Sequence, residues 1–306
     1  MVSGQAGQMA KSRSSAPRRS SVKAIARVAG TAITWVGQHV APRASALLDH
    51  GYHPDSLAAA TEACRDSAVE IANLRVTYSR QLALDALTGR FEAGSLTAII
   101  GPNGAGKSSL LKAVAGIVPS GKGSVRCAAK AAGRLAYLPQ QAEFNRGFPV
   151  TVGEFVAVGG WRTFGAFRRP QDALAADVAT ALDAVELEGI SERPIASLSV
   201  GEFQRALFAR LIMQDATVIL LDEPFAALDE ATAEALLGLV RHWHGEGRTV
   251  MAVLHDLDQV RDYFPASLLL ARSCVSWGDT ASVLTKNNLA RARRMLTAPH
   301  PEEGAA

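Results

Sequence analysis

Between residues 69 and 100 short apolar runs alternate with turns rich in Arg, Gly and Ser, which predicts strands at 69–78, 82–87 and 96–100. The last of these is mostly apolar and leads into a helix predicted at 107–116. A Pro-Ser-Gly-Lys-Gly turn at 119–123 then feeds a strand at 124–127, and another follows at 134–138, stopped by Pro139. From about 141 to 197 the pattern is mostly helical, with Leu174, Val178, Ala181, Leu182 and Val185 at helical spacing. Alternation then returns as a helix from Ser199, a strand at 218–221, a helix at 230–244 and a strand at 249–254. Strands that alternate with helices predict a parallel sheet covered on both faces, an α/β fold.

The ends read differently. Residues 1–21 are rich in Ser, Arg, Gly and Gln with almost no large apolar side chain, too little to offset the entropy of ordering, so disorder is expected there. Val22, Ile25, Ala29, Ile33, Val36 and Val40 then recur at helical spacing, with Lys23 and Arg27 off the stripe, before Pro42. A basic amphipathic helix suits an anionic membrane surface; an untidy extension or an early start codon is the preferred alternative. Arg27 interrupts the apolar stretch, so a secretory signal is not expected and the chain should stay in the cytosol. The division that results is an extension at 1–68, a folded unit at 69–296 with a helical insert at about 141–197, and a tail at 297–306.

Charge and composition narrow the function. The net charge is +3, yet residues 1–43 hold seven Lys or Arg and no acid, which leaves 25 minus 29, or −4, for the remainder. A basic nucleic-acid face on the folded unit is therefore not expected. At 306 residues and 48% hydrophobic content the chain can bury one large core and a satellite, or two modest ones. No run approaches the roughly 18 apolar residues of a membrane span, so a membrane role is expected only from the surface, through a partner. Cys64, Cys127 and Cys274 are far apart and form no C-x-x-C pair, which implies a reducing compartment without a zinc site or disulfide framework.

The candidate chemistry begins where the strand at 96–100 meets its helix. Gly101, Pro102, Asn103, Gly104, Ala105, Gly106, Lys107, Ser108 and Ser109 form a G-x-x-x-x-G-K-S phosphate loop. Its glycines let successive N–H groups converge on phosphate oxygens, Lys107 adds a point charge, and the Ser108 hydroxyl is suited to Mg²⁺ beside a helix N-terminus that favours anions. Nucleoside triphosphate binding follows. The strand at 218–221 ends in Asp222 and Glu223, where Asp222 is expected to hold the metal through water and Glu223 to act as general base. Upstream, Ser199 and Glu202 form an S-x-x-E capping box, and the same helix start offers free N–H groups to an anion.

With Leu198-Ser199-Val200-Gly201-Glu202-Phe203-Gln204-Arg205 in place, the chain resembles the ATP-binding subunits of ABC transporters over residues 69 to about 296. The resemblance implies an ABC ATPase fold with an antiparallel β subdomain and an inserted helical subdomain. It implies that Tyr78 stacks on adenine, although a strand-end aromatic is the plainer reading. Gln140 matches the glutamine that touches Mg²⁺ and the water, His255 the histidine that contacts the γ-phosphate, and Asp229 the loop that crosses to a partner. Asp229 also suits an N-cap. His242 and His244 read as dipole-complementing surface residues. Val200 and Glu202 depart from the family's Leu-Ser-Gly-Gly-Gln, while Ser199 and Gly201, which reach phosphate, are retained.

The resemblance further implies a head-to-tail homodimer with ATP at the interface, an integral-membrane permease, an extracytoplasmic solute-binding protein, and a place on the cytoplasmic face of the membrane. The tracts 135–141, 148–155, 224–225 and 241–249 look like the zinc or manganese uptake branch. An importer for an iron chelate or another solute is the nearest alternative. A soluble ABC protein acting on DNA or ribosomes is the remote one, since neither paired domains nor long coiled coils are present.

Overall fold

A computed structural model describes residues 67–78, 81–140, 144, 146–161 and 171–297. The extension, except Ser67 and Ala68, the stripe from Val22 to Val40, Gln141 and the last nine residues lie outside the described residues.

β1 (Ser67–Tyr78) and β2 (Gln81–Glu92) pair antiparallel, with left-handed backbone at Asn73 and Ala86 where the register shifts. β3 (Leu96–Ile100) is wholly buried and delivers the chain into α1 (Lys107–Ala115), which Gly116 ends in a left-handed cap. β4 (Lys122–Arg126) joins β1 to complete a three-stranded sheet of order β2-β1-β4. Cys127, expected in that strand, caps the short α2 (Ala128–Ala131) instead. β5 (Leu135–Leu138) leads to the helical region, where α3 (Val152–Ala157) starts in a Thr151–Glu154 capping box and α4 (Gln171–Asp183) follows. Val185, placed on the helical stripe, lies past the end of α4 but is buried all the same.

α5 (Val200–Gln214), β6 (Val218–Asp222), α6 (Glu230–Gly245) and β7 (Thr249–Val253) match the expected alternation. Five elements close the chain that the pattern had not marked: α7 (Leu257–Tyr263), β8 (Ala266–Ala271), β9 (Ser273–Asp279), α8 (Thr280–Val283) and α9 (Lys286–Thr297). The larger sheet has order β5-β6-β7-β3-β8-β9, parallel throughout except for β9.

Period-2 alternation splits the buried strands between two cores. Ile99, Leu220, Val253 and Leu268 face α1 and the small sheet, while Ile100, Leu221, Ala252 and Leu269 face α5 and α6. On the second face Phe208 stacks on Trp243 with centroids 5.9 Å apart and planes 8° from parallel, locking α5 to α6. The two sheets are joined by Trp277 of β9, whose ring lies 4.6 Å from that of Phe91 and directly over Gly89. A Cβ on Gly89 would meet Trp277 Cζ3 at 2.3 Å, so β2 needs a bare residue there.

Candidate functional site

The phosphate loop occupies the turn from β3 to α1 at the C-terminal end of the parallel sheet, the place where open α/β sheets leave a crevice. Gly106 caps α1 with φ 92°, and a Cβ there would lie 2.3 Å from the Ala83 carbonyl oxygen. Backbone of β2 therefore approaches the loop as closely as glycine permits. Lys107 is 6% exposed, and its Nζ donates to the carbonyls of Gly101 at 2.9 Å and Pro102 at 3.2 Å. Burial pulls its pKa down, against the charges of Glu223 and Asp222. The ammonium is thus held across the mouth of the loop with its charge only partly answered, ready for a phosphate oxygen.

Asp222 ends β6 at 1% exposure. Ser108 Oγ donates to its Oδ1 at 2.9 Å and the Tyr137 hydroxyl donates to its Oδ2 at 3.3 Å. Burial raises the Asp222 pKa, and the Ser108 hydrogen bond counters this. A hydroxyl and a buried carboxylate side by side form a hard oxygen pair of the kind that holds a small divalent cation jointly with substrate phosphates. Among the described residues no cluster of three His, Cys, Asp or Glu offers an all-protein metal cage.

Glu223 follows with φ 51°, a left-handed conformation rare in non-glycine residues, and Ala227 repeats it at 59° in the same turn. The turn is held by the Glu223 N–H donating to the Val253 carbonyl at 3.2 Å. Its carboxylate Oε1 lies 2.7 Å from His255 Nε2, and Gln140 hydrogen-bonds the same carboxylate. Burial pushes the Glu223 pKa up, but the hydrogen bonds from His255 and Gln140 and the charges of His255 and Lys107 outweigh it and hold the group below its ordinary value. Lys107, Ser108, Gln140, Asp222, Glu223 and His255 therefore lie together in one connected constellation.

The other predicted residues stand outside it. Tyr78 ends β1 with 41% of its surface exposed. Ser199 caps α5 through the reciprocal Ser199–Glu202 box, and its hydrogen bonds stay within that first turn. Gly201 has nothing within 4 Å of the position a Cβ would take, so its lack of a side chain leaves the start of α5 open. Asp229 caps α6, accepting from the Thr232 N–H at 3.0 Å and hydroxyl at 2.8 Å.

Three contributors escaped the sequence reading. Tyr137 holds Asp222 from three residues before Gln140. Gln204, buried in α5, donates to the Pro224 carbonyl at 2.6 Å and so ties that helix to the turn after Glu223. Arg193 bonds Glu202 and the Ser197 carbonyl. Only the position of Tyr137 inside the Tyr-Leu-Pro-Gln tract hinted at a role.

A family profile described as ABC transporter matches residues 84–226. The chain is 36% identical over 228 residues to the manganese transport system ATP-binding protein MntB of Listeria monocytogenes, covering 72% of this chain and 94% of that protein. It is 37% identical over 229 residues to the zinc transport system ATP-binding protein TroB of Treponema pallidum, covering 74% and 86%. Among solved structures it is similar to an ABC transporter in an inward-facing conformation, at TM-score 0.66, 29% identity and 75% and 90% coverage. A nucleotide-free ATP-binding cassette shares the fold at TM-score 0.64 and 20% identity, over 74% of this chain and 98% of that one.

Proposed function

Because the chain belongs to the ABC transporter family, as a subunit that binds and hydrolyses ATP, we propose that it energises a membrane importer of manganese or zinc. The observation that carries the hydrolytic reading is the 2.7 Å contact between His255 and Glu223 beside a complete phosphate loop. The cargo rests on the named transport systems of its relatives.

On binding ATP, the Lys107 ammonium exchanges the Gly101 and Pro102 carbonyls for phosphate oxygens, while the loop and the start of α1 supply N–H donors. Ser108 and Asp222, with Gln140, are the residues that would hold Mg²⁺, which when bound neutralises charge on the phosphates. Glu223 takes the proton of the attacking water, kept ionised and oriented by His255 and Gln140. Tyr78 supplies an aromatic face for adenine.

Ser199 and Gly201 of one subunit, with Asp229, meet the phosphates bound by a second subunit in a head-to-tail dimer. α3 and α4 belong to a helical subdomain within a unit of 69–296, which passes the opening of the dimer to an integral-membrane permease. A cleft of about 280 Å³ lined by Tyr137, Pro139, Phe144 and Arg210 lies beside the Gln140 loop, where such a permease would seat. Among the described residues no helix is long and apolar enough to cross a membrane; the place on the cytoplasmic face rests on the transport systems of the relatives. An extracytoplasmic solute-binding protein completes the assembly and selects the metal.

Affinity purification of the intact complex, followed by uptake of labelled manganese and zinc into vesicles containing it, tests the proposal. ATP-dependent uptake of either ion, lost in Lys107→Ala, is expected; uptake of an unrelated solute alone would overturn the cargo.

A further inference from the structure

The end of α5 that is to receive a phosphate carries a carboxylate. Glu202 Oε2 accepts the Ser199 N–H at 2.7 Å and the Glu202 N–H donates to Ser199 Oγ at 3.1 Å, so the acid is fixed one side chain away from the hydroxyl that meets the partner's ATP. A negative charge in the first turn stabilises the helix because it opposes the dipole. For the same reason it opposes any second anion. The glutamine usual at this position fills the same capping role without a charge.

Arg193 answers that charge. Its Nη1 lies 3.1 Å from Glu202 Oε1 and its Nη2 donates to the Ser197 carbonyl at 3.2 Å, bringing the guanidinium against the start of α5. The backbone of Arg193 is held independently, with its N–H donating to Ile190 O and its carbonyl accepting the Val152 N–H, each at 2.9 Å. The side chain can therefore change without loss of the loop. With 41% and 25% of the two side chains exposed, the pair contributes little to stability by itself. Its consequence lies in the field at the mouth of α5.

We propose that Arg193 is a positioning residue for the phosphate contributed in trans: it neutralises Glu202, and so allows a signature containing glutamate to accept ATP from the partner subunit. This rests on the composite pocket proposed above.

The test uses the full chain in a Glu223→Gln background, with ATP-driven dimerisation followed by sedimentation. Arg193→Ala is expected to weaken dimerisation about tenfold at low salt, as an uncovered charge near an anion does, and less at high salt. Adding Glu202→Gln should restore it, and Glu202→Gln alone should not weaken it. A purely structural bridge behaves otherwise, because either single change breaks it and the double change cures nothing. Unimpaired dimerisation in Arg193→Ala, or no rescue by Glu202→Gln, overturns the proposal. Arg193→Lys, which keeps the charge, should retain most of the affinity, and equal melting temperatures of the nucleotide-free proteins exclude misfolding. A Glu223→Gln parent that stays monomeric with ATP refutes the composite pocket instead, and this inference with it.

Discussion

Glu223 Oε1 and His255 Nε2 stand 2.7 Å apart because β6 and β7 run parallel in a register that pairs Asp222 with Val253, so the residues just past each strand end meet. With the carboxylate held below its ordinary pKa and its proton acceptor fixed in direction, Glu223→Gln should lower ATP turnover by about 10²- to 10⁴-fold with ATP binding retained. Steady-state hydrolysis and nucleotide binding measured together check this. Unchanged turnover would reject Glu223 as the base.

Ser108→Ala removes the 2.9 Å donor from a carboxylate that is 1% exposed. The substitution should cost roughly 1–3 kcal/mol in urea unfolding without nucleotide, and should raise the Asp222 pKa further. Ser108→Thr, which keeps the hydroxyl, should cost much less. Equal stability of the alanine variant would show that the bond is dispensable.

Gly104 and Gly106 both have positive φ, but only Gly106 is crowded. Gly104→Ala should therefore cost about 1 kcal/mol of backbone strain in the nucleotide-free protein, with no added clash. Gly106→Ala adds a Cβ 2.3 Å from the Ala83 carbonyl oxygen and 2.6 Å from Leu84 Cδ2, so it should lower stability further and abolish binding. Thermal melts and nucleotide titrations of the pair separate the two effects.

Away from the site, Glu246 is pulled up by burial but held below its ordinary pKa by His242, 3.2 Å away, and by the Arg248 charge, with Asp215 on the far side of Arg248. Its depressed folded-state value means that its stabilising contribution is complete above the ordinary 4.5 and is lost as pH falls through the lower folded value. Glu246→Gln should therefore be less stable than the parent near neutral pH, with the gap closing under acid. Melts below pH 4.5 read this directly; a gap that widens on further acidification there contradicts it.

The parts visible in the sequence were those whose chemistry is local. A phosphate loop needs fixed glycines, and strands buried on both faces, such as β3 and β6, are mostly apolar, with Thr97 and Asp222 as their polar exceptions. Less visible was anything set by distant packing. β2 runs five residues beyond Leu87 because Trp277, far along the chain, lies over Gly89 and lets a glycine stay in the strand. β9 is an antiparallel edge strand with half-exposed residues, so its pattern is weak. The roles of Gln204 and Arg193 depend on how α5 lies against its neighbours, which no spacing encodes. Tyr137 read as a strand residue until Asp222 was placed beside it.

The central claim is that two subunits complete each other's ATP sites. Sedimentation equilibrium of Glu223→Gln with and without Mg-ATP tests it most directly. The account predicts a monomer without nucleotide, a dimer with it, and no shift when Lys107→Ala or a bulky replacement at Ser199 is added. A protein that binds ATP yet remains monomeric at all concentrations, while the parent hydrolyses ATP at a rate per chain independent of concentration, would contradict it.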